Sequence, residues 1–187
     1  MSPTSAPEIF RQLADKLSYV SEEGFFHHLV RSLADILKVD HAVVEHIDSH
    51  HEMATTLAIW SQEAFSEGGT YALEATPCQQ VADLSTYFIS SRVCQHFPND
   101  KRLNLLNVEG YWGIAITAPD GSFLGVIALM HSSPLVLPIY ADDVLRIASA
   151  LAGAELARQL AESHTQERLL YKKRALQRIG RHNETLV

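Results

Sequence analysis

The chain has 187 residues, of which 47% are hydrophobic and 20% charged, and its formal net charge is −7. This is the length of one domain with room for an extension, and the composition of an ordinary globule that folds without covalent staples. Two cysteines, Cys78 and Cys94, are too few for a disulfide framework and point to a reducing cytoplasm. An acidic globule argues against nucleic-acid binding. The opening MSPTSAPEIF lacks a basic and an apolar region, so no secretory signal is expected. No apolar run approaches the ~20 residues that a membrane-spanning helix needs.

Ile9, Leu13 and Leu17 share a helical face and predict a short N-terminal helix within 1–20. Ser21 then offers an N-cap with Glu22 and Glu23 in the first turn. Phe25, Phe26, Leu29, Val30, Leu33, Ile36 and Leu37 follow at helical spacing, to about Lys38. His41–Ile47 reads as a strand, Asp48–Glu52 as a polar turn, and Met53–Ser61 as a second strand. Gly68-Gly69 breaks the chain before a third strand over Thr70–Leu73. Thr76 and Pro77 form a helix start, N-cap and first position, and a short strand follows near Thr86–Ile89. Ser90–Asn107 is a loop region with a break at Phe97-Pro98-Asn99-Asp100. There Asn99 or Asp100 caps a short helix holding Leu103, Leu105 and Leu106.

Two apolar runs, Tyr111–Ala118 and Phe123–Met130, then flank Pro119-Asp120-Gly121-Ser122. Both are too apolar to face water, which predicts a hairpin in the middle of a sheet, closed by a turn of Pro, Asp and Gly. After Ser132-Ser133-Pro134, the segment Tyr140-Ala141-Asp142-Asp143 opens a long helix through Val144, Ile147, Ala148, Leu151, Ala154 and Leu160. It is expected to run past Leu176 to Gly180, a C-terminal stop. Arg168, Lys172, Lys173, Arg174, Arg178 and Arg181 near its end suit the negative pole of a helix.

Three landmarks, in order, resemble a GAF domain, the small-molecule-sensing relative of PAS domains. The family writes its central hairpin as an aromatic-Gly-Ile/Val-Pro-Leu strand, an Asp-Gly turn and a Leu-Gly-Val-Leu strand. Here these are Tyr111-Trp112-Gly113-Ile114-Ala115-Ile116, Asp120-Gly121 and Leu124-Gly125-Val126-Ile127, with Ala115 in place of the usual Pro. A Gly-Thr-Pro-Cys-type helix start is matched by Ala75-Thr76-Pro77-Cys78, and a Phe-Pro-x-Asp segment by Phe97-Pro98-Asn99-Asp100. The resemblance implies an α+β fold: a GAF-type antiparallel sheet of five or six strands, helices on one face, and crossing loops and short helices on the other. It divides the chain into an N-terminal helix at 1–20, a GAF domain at 21–160 and a signalling-helix extension at 161–187.

No Walker A loop, nucleophile elbow, HExxH helix or CxxC pair is present. His46, Asp48, His50, His51 and Glu52 straddle a turn where alternate residues diverge, so they read as a solvated turn and not as a metal site. His27-His28 reads as helix packing. The GAF enzymes that reduce methionine sulfoxide need a cysteine before the hairpin, where Asn107–Trp112 has none. Bilin-binding relatives follow their cysteine with His, but Cys94 is followed by Gln95 and then His96. Both cysteines therefore read as small, half-buried hydrophobes. The phosphodiesterase-type cyclic-nucleotide signature has no counterpart, and no motif supports haem at His96.

What the resemblance implies is a regulatory sensor without catalysis of its own. It would bind a small molecule, with no cofactor assigned, and relay the signal through the long C-terminal helix. Expected partners are a second copy, through the N- and C-terminal helices, and an output domain (diguanylate cyclase, phosphodiesterase, kinase or transcription factor). Residues expected to border a ligand are Trp60, Tyr71, Cys78, Phe88, Tyr111 and His131. A ligand-free dimerisation scaffold is the rival reading, in which side chains fill the covered face of the sheet.

Overall fold

The computed structural model describes residue 11 and residues 24–48 and 52–184. The expected N-terminal helix, the Ser21 cap, and His50 and His51 lie outside the described residues.

Helix α1, Phe25–Leu37, forms where Phe26, Leu29, Val30, Leu33 and Leu37 recur at helical spacing, and all five are buried. It ends on Lys38 in the left-handed region, with the Lys38 N–H donated to the Ala34 carbonyl. Strands β1 (His41–Asp48) and β2 (Met53–Ser61) follow as an antiparallel pair. Two short strands, β3 (Ala64–Phe65) and β4 (Thr70–Ala72), share the outer edge of β2. Helix α2, Pro77–Leu84, starts as expected: the Thr76 hydroxyl accepts from the Gln79 N–H and Pro77 occupies the first turn. Strand β5 is Thr86–Ile89, and two short helices follow, α3 (Val93–His96) and α4 (Lys101–Leu105). Strands β6 (Gly110–Thr117) and β7 (Phe123–His131) precede the 44-residue helix α5, Ala141–Glu184.

The sheet runs β3-β2-β1-β7-β6-β5, entirely antiparallel, with β4 beside β3 on β2. It has seven strands where five or six were expected. The extra one is β3, which turns back from β2 through Gln62 and Glu63, both at positive φ (48° and 68°). A two-residue turn of that kind normally signals itself by Asn-Gly or Gly-Gly, so Gln-Glu gives no warning of it. The hairpin β6–β7 lies inside the sheet, between β5 and β1, as its apolar flanks demand.

Alternation divides the strands into two cores. Ala42, Val44, Ile114, Ile116, Ile127 and Leu129 face back, against α1 and α5. Val43, Ile47, Tyr111, Ala115, Val126 and Ala128 face forward, against α2, α3 and α4. On the back face α5 comes very close to β6. A Cβ on Gly153 would lie 2.0 Å from the Thr117 carbonyl oxygen, and the Ser149 hydroxyl donates to the Ala115 carbonyl at 2.6 Å. Gly180 does not end α5, which continues to Glu184. Glycine costs a helix about 1 kcal/mol relative to Ala without terminating it. From Ala161 to Arg174 every described side chain is exposed. Among the described residues, no helix is long and apolar enough to cross a membrane.

Candidate functional site

Between the front face of β1, β6 and β7 and the segments that cross it lies a cavity of about 390 Å³. Its floor and walls are mainly apolar, from Val43, Ile59, Leu103, Leu106, Ala128 and Met130. Its rim is the exposed stretch Ser66–Thr70. At one end sits a buried polar cluster centred on Glu45, which is 3% exposed.

Glu45 arrives there by strand parity. Val43, Glu45 and Ile47 alternate onto the front face, and a bulge opposite Val44/Glu45 leaves Leu57 without a partner on β1. The bulge switches the parity of β2, so Thr56 points into the cavity while Ala58 packs on the back face. The Tyr71 hydroxyl donates to Glu45 Oε2 at 2.5 Å, and the Cys78 thiol donates to the same oxygen at 3.1 Å. Cys78 Sγ lies 3.4 Å from the Tyr111 hydroxyl. Tyr111 fits because residue 113 on the same face is glycine: a Cβ there would meet the Tyr111 hydroxyl and Val81 Cγ2, each at 2.5 Å.

The mouth of the cluster is closed by Arg102. Asp100 caps α4 by accepting the Arg102 N–H, and it also holds the guanidinium through Nε at 3.0 Å and Nη2 at 2.8 Å. The guanidinium stacks on Tyr71, with Cζ 3.1 Å from the ring centroid. This leaves Nη1, which stands 3.5 Å from Glu45 Oε1.

Burial sets the protonation of the cluster. It pushes the Glu45 carboxyl above the usual carboxylate range, against the lowering effects of Tyr71, Arg102 and Cys78. The Cys78 thiol and the Tyr71 and Tyr111 hydroxyls are likewise raised, first by burial and then by neighbouring negative charge. Burial works against the Arg102 cation, but its hydrogen bond to Asp100 and its contact with Tyr71 more than offset this and raise it. The cluster therefore presents a protonated thiol and two phenols as donors, not a thiolate nucleophile.

Of the six residues expected from sequence, the structure brings together Tyr71, Cys78 and Tyr111 at this cavity. The other three lie elsewhere. Trp60 pairs with back-facing Ala42 and packs against Phe65 and under Arg31 on the helix side. Phe88 pairs with Trp112 on the back of β5, half exposed, beside a separate shallow groove. His131 ends β7 with its Nδ1 2.9 Å from the Asp40 carboxylate. Glu45, Asp100 and Arg102 carry most of the site's charge; sequence reasoning passed over Glu45 and Arg102 and read Asp100 only as a helix cap and landmark residue. The available signal was an acid inside the apolar run HAVVEHI. Of the histidines in the polar turn, His46 donates its Nδ1–H to the Leu124 carbonyl at 2.7 Å. Among the described residues no three His, Cys, Asp or Glu side chains are grouped as a metal site would need.

A family model of the GAF domain matches residues 21–161. The chain belongs to the GAF domain family. Among solved structures, it is similar to the GAF domain of Acinetobacter phosphoenolpyruvate-protein phosphotransferase, at 15% identity and TM-score 0.68, over 88% of this chain and 99% of that one. It is also similar to the chromophore-binding domain of Stigmatella aurantiaca bacteriophytochrome (Thr289His mutant, Pr state), at 14% identity and TM-score 0.65. The wild-type chromophore-binding domain of Stigmatella aurantiaca phytochrome P1 aligns at 13% identity and TM-score 0.62. These two alignments cover 84% and 82% of this chain, and 61% of each phytochrome fragment. At such identities the likeness speaks for the fold alone. No curated protein matches the chain.

Proposed function

We propose that this GAF domain is a regulatory sensor that binds a small molecule in the front-face cavity and relays occupancy through α5 to an output domain. The observation that carries the reading is the cavity itself. At about 390 Å³ it falls within the ~300–1,000 Å³ typical of ligand pockets, and it joins apolar walls to a few convergent polar groups. A ligand-free scaffold would have filled that volume with side chains.

The route to α5 is short. Tyr111 and Ala115 of β6 face forward, while the Ala115 carbonyl accepts from Ser149 of α5 on the back face. A ligand that prefers one placement of β6 therefore prefers one placement of α5, and shifts its population by the difference in affinity. The exposed helix beyond Ala161 suits a connection to a diguanylate cyclase, phosphodiesterase, kinase or transcription-factor output, in the cytoplasm. Half-exposed Ile147 and Leu151, one turn apart on α5, suit pairing with a second copy. The protonated Cys78 and the tyrosines favour binding over catalysis.

Native mass spectrometry of gently purified protein tests the proposal. The expected spectrum is a dimer carrying a non-covalent adduct of small-molecule mass. Protein that is bare in every preparation, including after incubation with a metabolite extract of its host, would count against a ligand site.

A further inference from the structure

This inference rests on the front-face cavity being the ligand site, and concerns the charge of what it takes. Among the described residues, Glu45 Oε2 receives two donors, while Oε1 meets only Arg102 Nη1, at 3.5 Å. A carboxylate whose second oxygen has only a long ion pair, beside a cavity, gains from a closer charged donor entering that cavity. Arg102 supplies only that long contact. Asp100 holds its Nε and Nη2, and its face lies on Tyr71. The ionisable groups lining the cavity include three carboxylates, Glu45, Glu67 and Asp100, against the single cation Arg102. An anionic ligand at Arg102 Nη1, the nitrogen that Asp100 leaves over, would stand as a like charge beside both Glu45 and Asp100.

We propose that the cavity recognises a protonated amine on a small apolar body, with Glu45 Oε1 as the anchor and the Val43–Ile59–Met130 wall holding the body. The raised proton affinity of Glu45, caused chiefly by burial, agrees with a site whose anion is completed by its ligand. Tyr71 and Cys78 orient the carboxylate by holding Oε2, which leaves Oε1 for the incoming nitrogen.

Three probes with one indole body separate charge from shape: tryptamine, 3-ethylindole and indole-3-propionate. Each is titrated calorimetrically into the full chain and into Glu45→Gln and Arg102→Gln at about pH 7.5. Tryptamine is expected to bind at least ~10-fold tighter than 3-ethylindole. That ratio should fall to about one in Glu45→Gln, and should hold or rise in Arg102→Gln. Arg102 is partly exposed and its replacement leaves the apolar wall intact, so this variant decides the matter even if Glu45→Gln does not fold. Tighter binding of indole-3-propionate, lost in Arg102→Gln, overturns the proposal and makes Arg102 the anchor. Equal binding of all three probes leaves the cavity as a ligand site and removes the charge assignment. Binding of none of them removes both.

Discussion

At the scale of single residues, Glu45 is a carboxyl group held almost entirely away from water, 3% exposed. Its proton affinity is raised in the folded chain, so between the unfolded carboxylate's pKa and its own higher folded value the native state holds more protons. The contribution of Glu45 to stability is therefore greatest below the unfolded pKa and is lost as pH rises through the folded one. Urea unfolding of wild type and Glu45→Gln from about pH 4 to pH 8 measures this as a difference. The wild type should lose stability relative to the variant as pH rises, and parallel curves would show that Glu45 does not titrate anomalously. Ala75 offers a second test. It is exposed, precedes the α2 cap and has φ 58°, where a Cβ costs roughly 1–2 kcal/mol and glycine costs nothing. Ala75→Gly should raise the unfolding free energy by about 1 kcal/mol once the extra freedom of the unfolded glycine is deducted, read as a higher denaturation midpoint. Half of the candidate site was legible at this scale. Aromatic and thiol character pointed to Tyr71, Cys78 and Tyr111, but residue type does not reveal which face of a sheet a side chain takes. Trp60 and Phe88 are as aromatic as Tyr111 and face the other way, because strand parity decides the face. Applying that parity to HAVVEHI would have put Glu45 beside Val43 on the covered side.

At the scale of elements, α5 meets the sheet in a close backbone approach to β6 at Gly153. Helix propensity alone predicts that Gly153→Ala stabilises by about 1 kcal/mol. Contact predicts the reverse, since the new Cβ would sit 2.0 Å from a backbone carbonyl that cannot rotate away. Overpacking of this kind costs typically 1–3 kcal/mol, so the net expectation is destabilisation, read as a lowered thermal midpoint. A raised midpoint would mean that α5 slides easily on β6, which would also weaken the proposed relay. The elements themselves were largely legible. α1, the pair β1–β2, the α2 start and the β6–β7 hairpin each carry a strong local signal, either periodic apolar residues or a capping residue. The exceptions carry none: β3 depends on a tight turn without glycine, and α3 spans only Val93–His96. Such short pieces owe their existence to tertiary packing more than to their own propensity.

At the scale of the whole molecule, the sheet separates two jobs. The back core joins α1 and α5 and holds the fold together, while the front core is interrupted by a cavity where packing alone would have closed it. The fold class was legible because the order of elements and three spaced motifs agree. The cavity was not, since a void is a property of packed volumes and has no residue type. If α5 pairs two copies through Ile147 and Leu151, replacing both with Glu should convert a dimer to a monomer in light scattering at tens of micromolar. Charges in a buried helix seam are strongly disfavoured. A wild-type monomer at that concentration would remove the pairing. The most direct test of the account is a crystal structure of protein purified from its host without denaturation. It should show density for a non-protein molecule within hydrogen-bond reach of Glu45 Oε1, against Met130 and Ile59. A front face closed over by Leu105 and Leu106, with no room left beside Glu45, would contradict it.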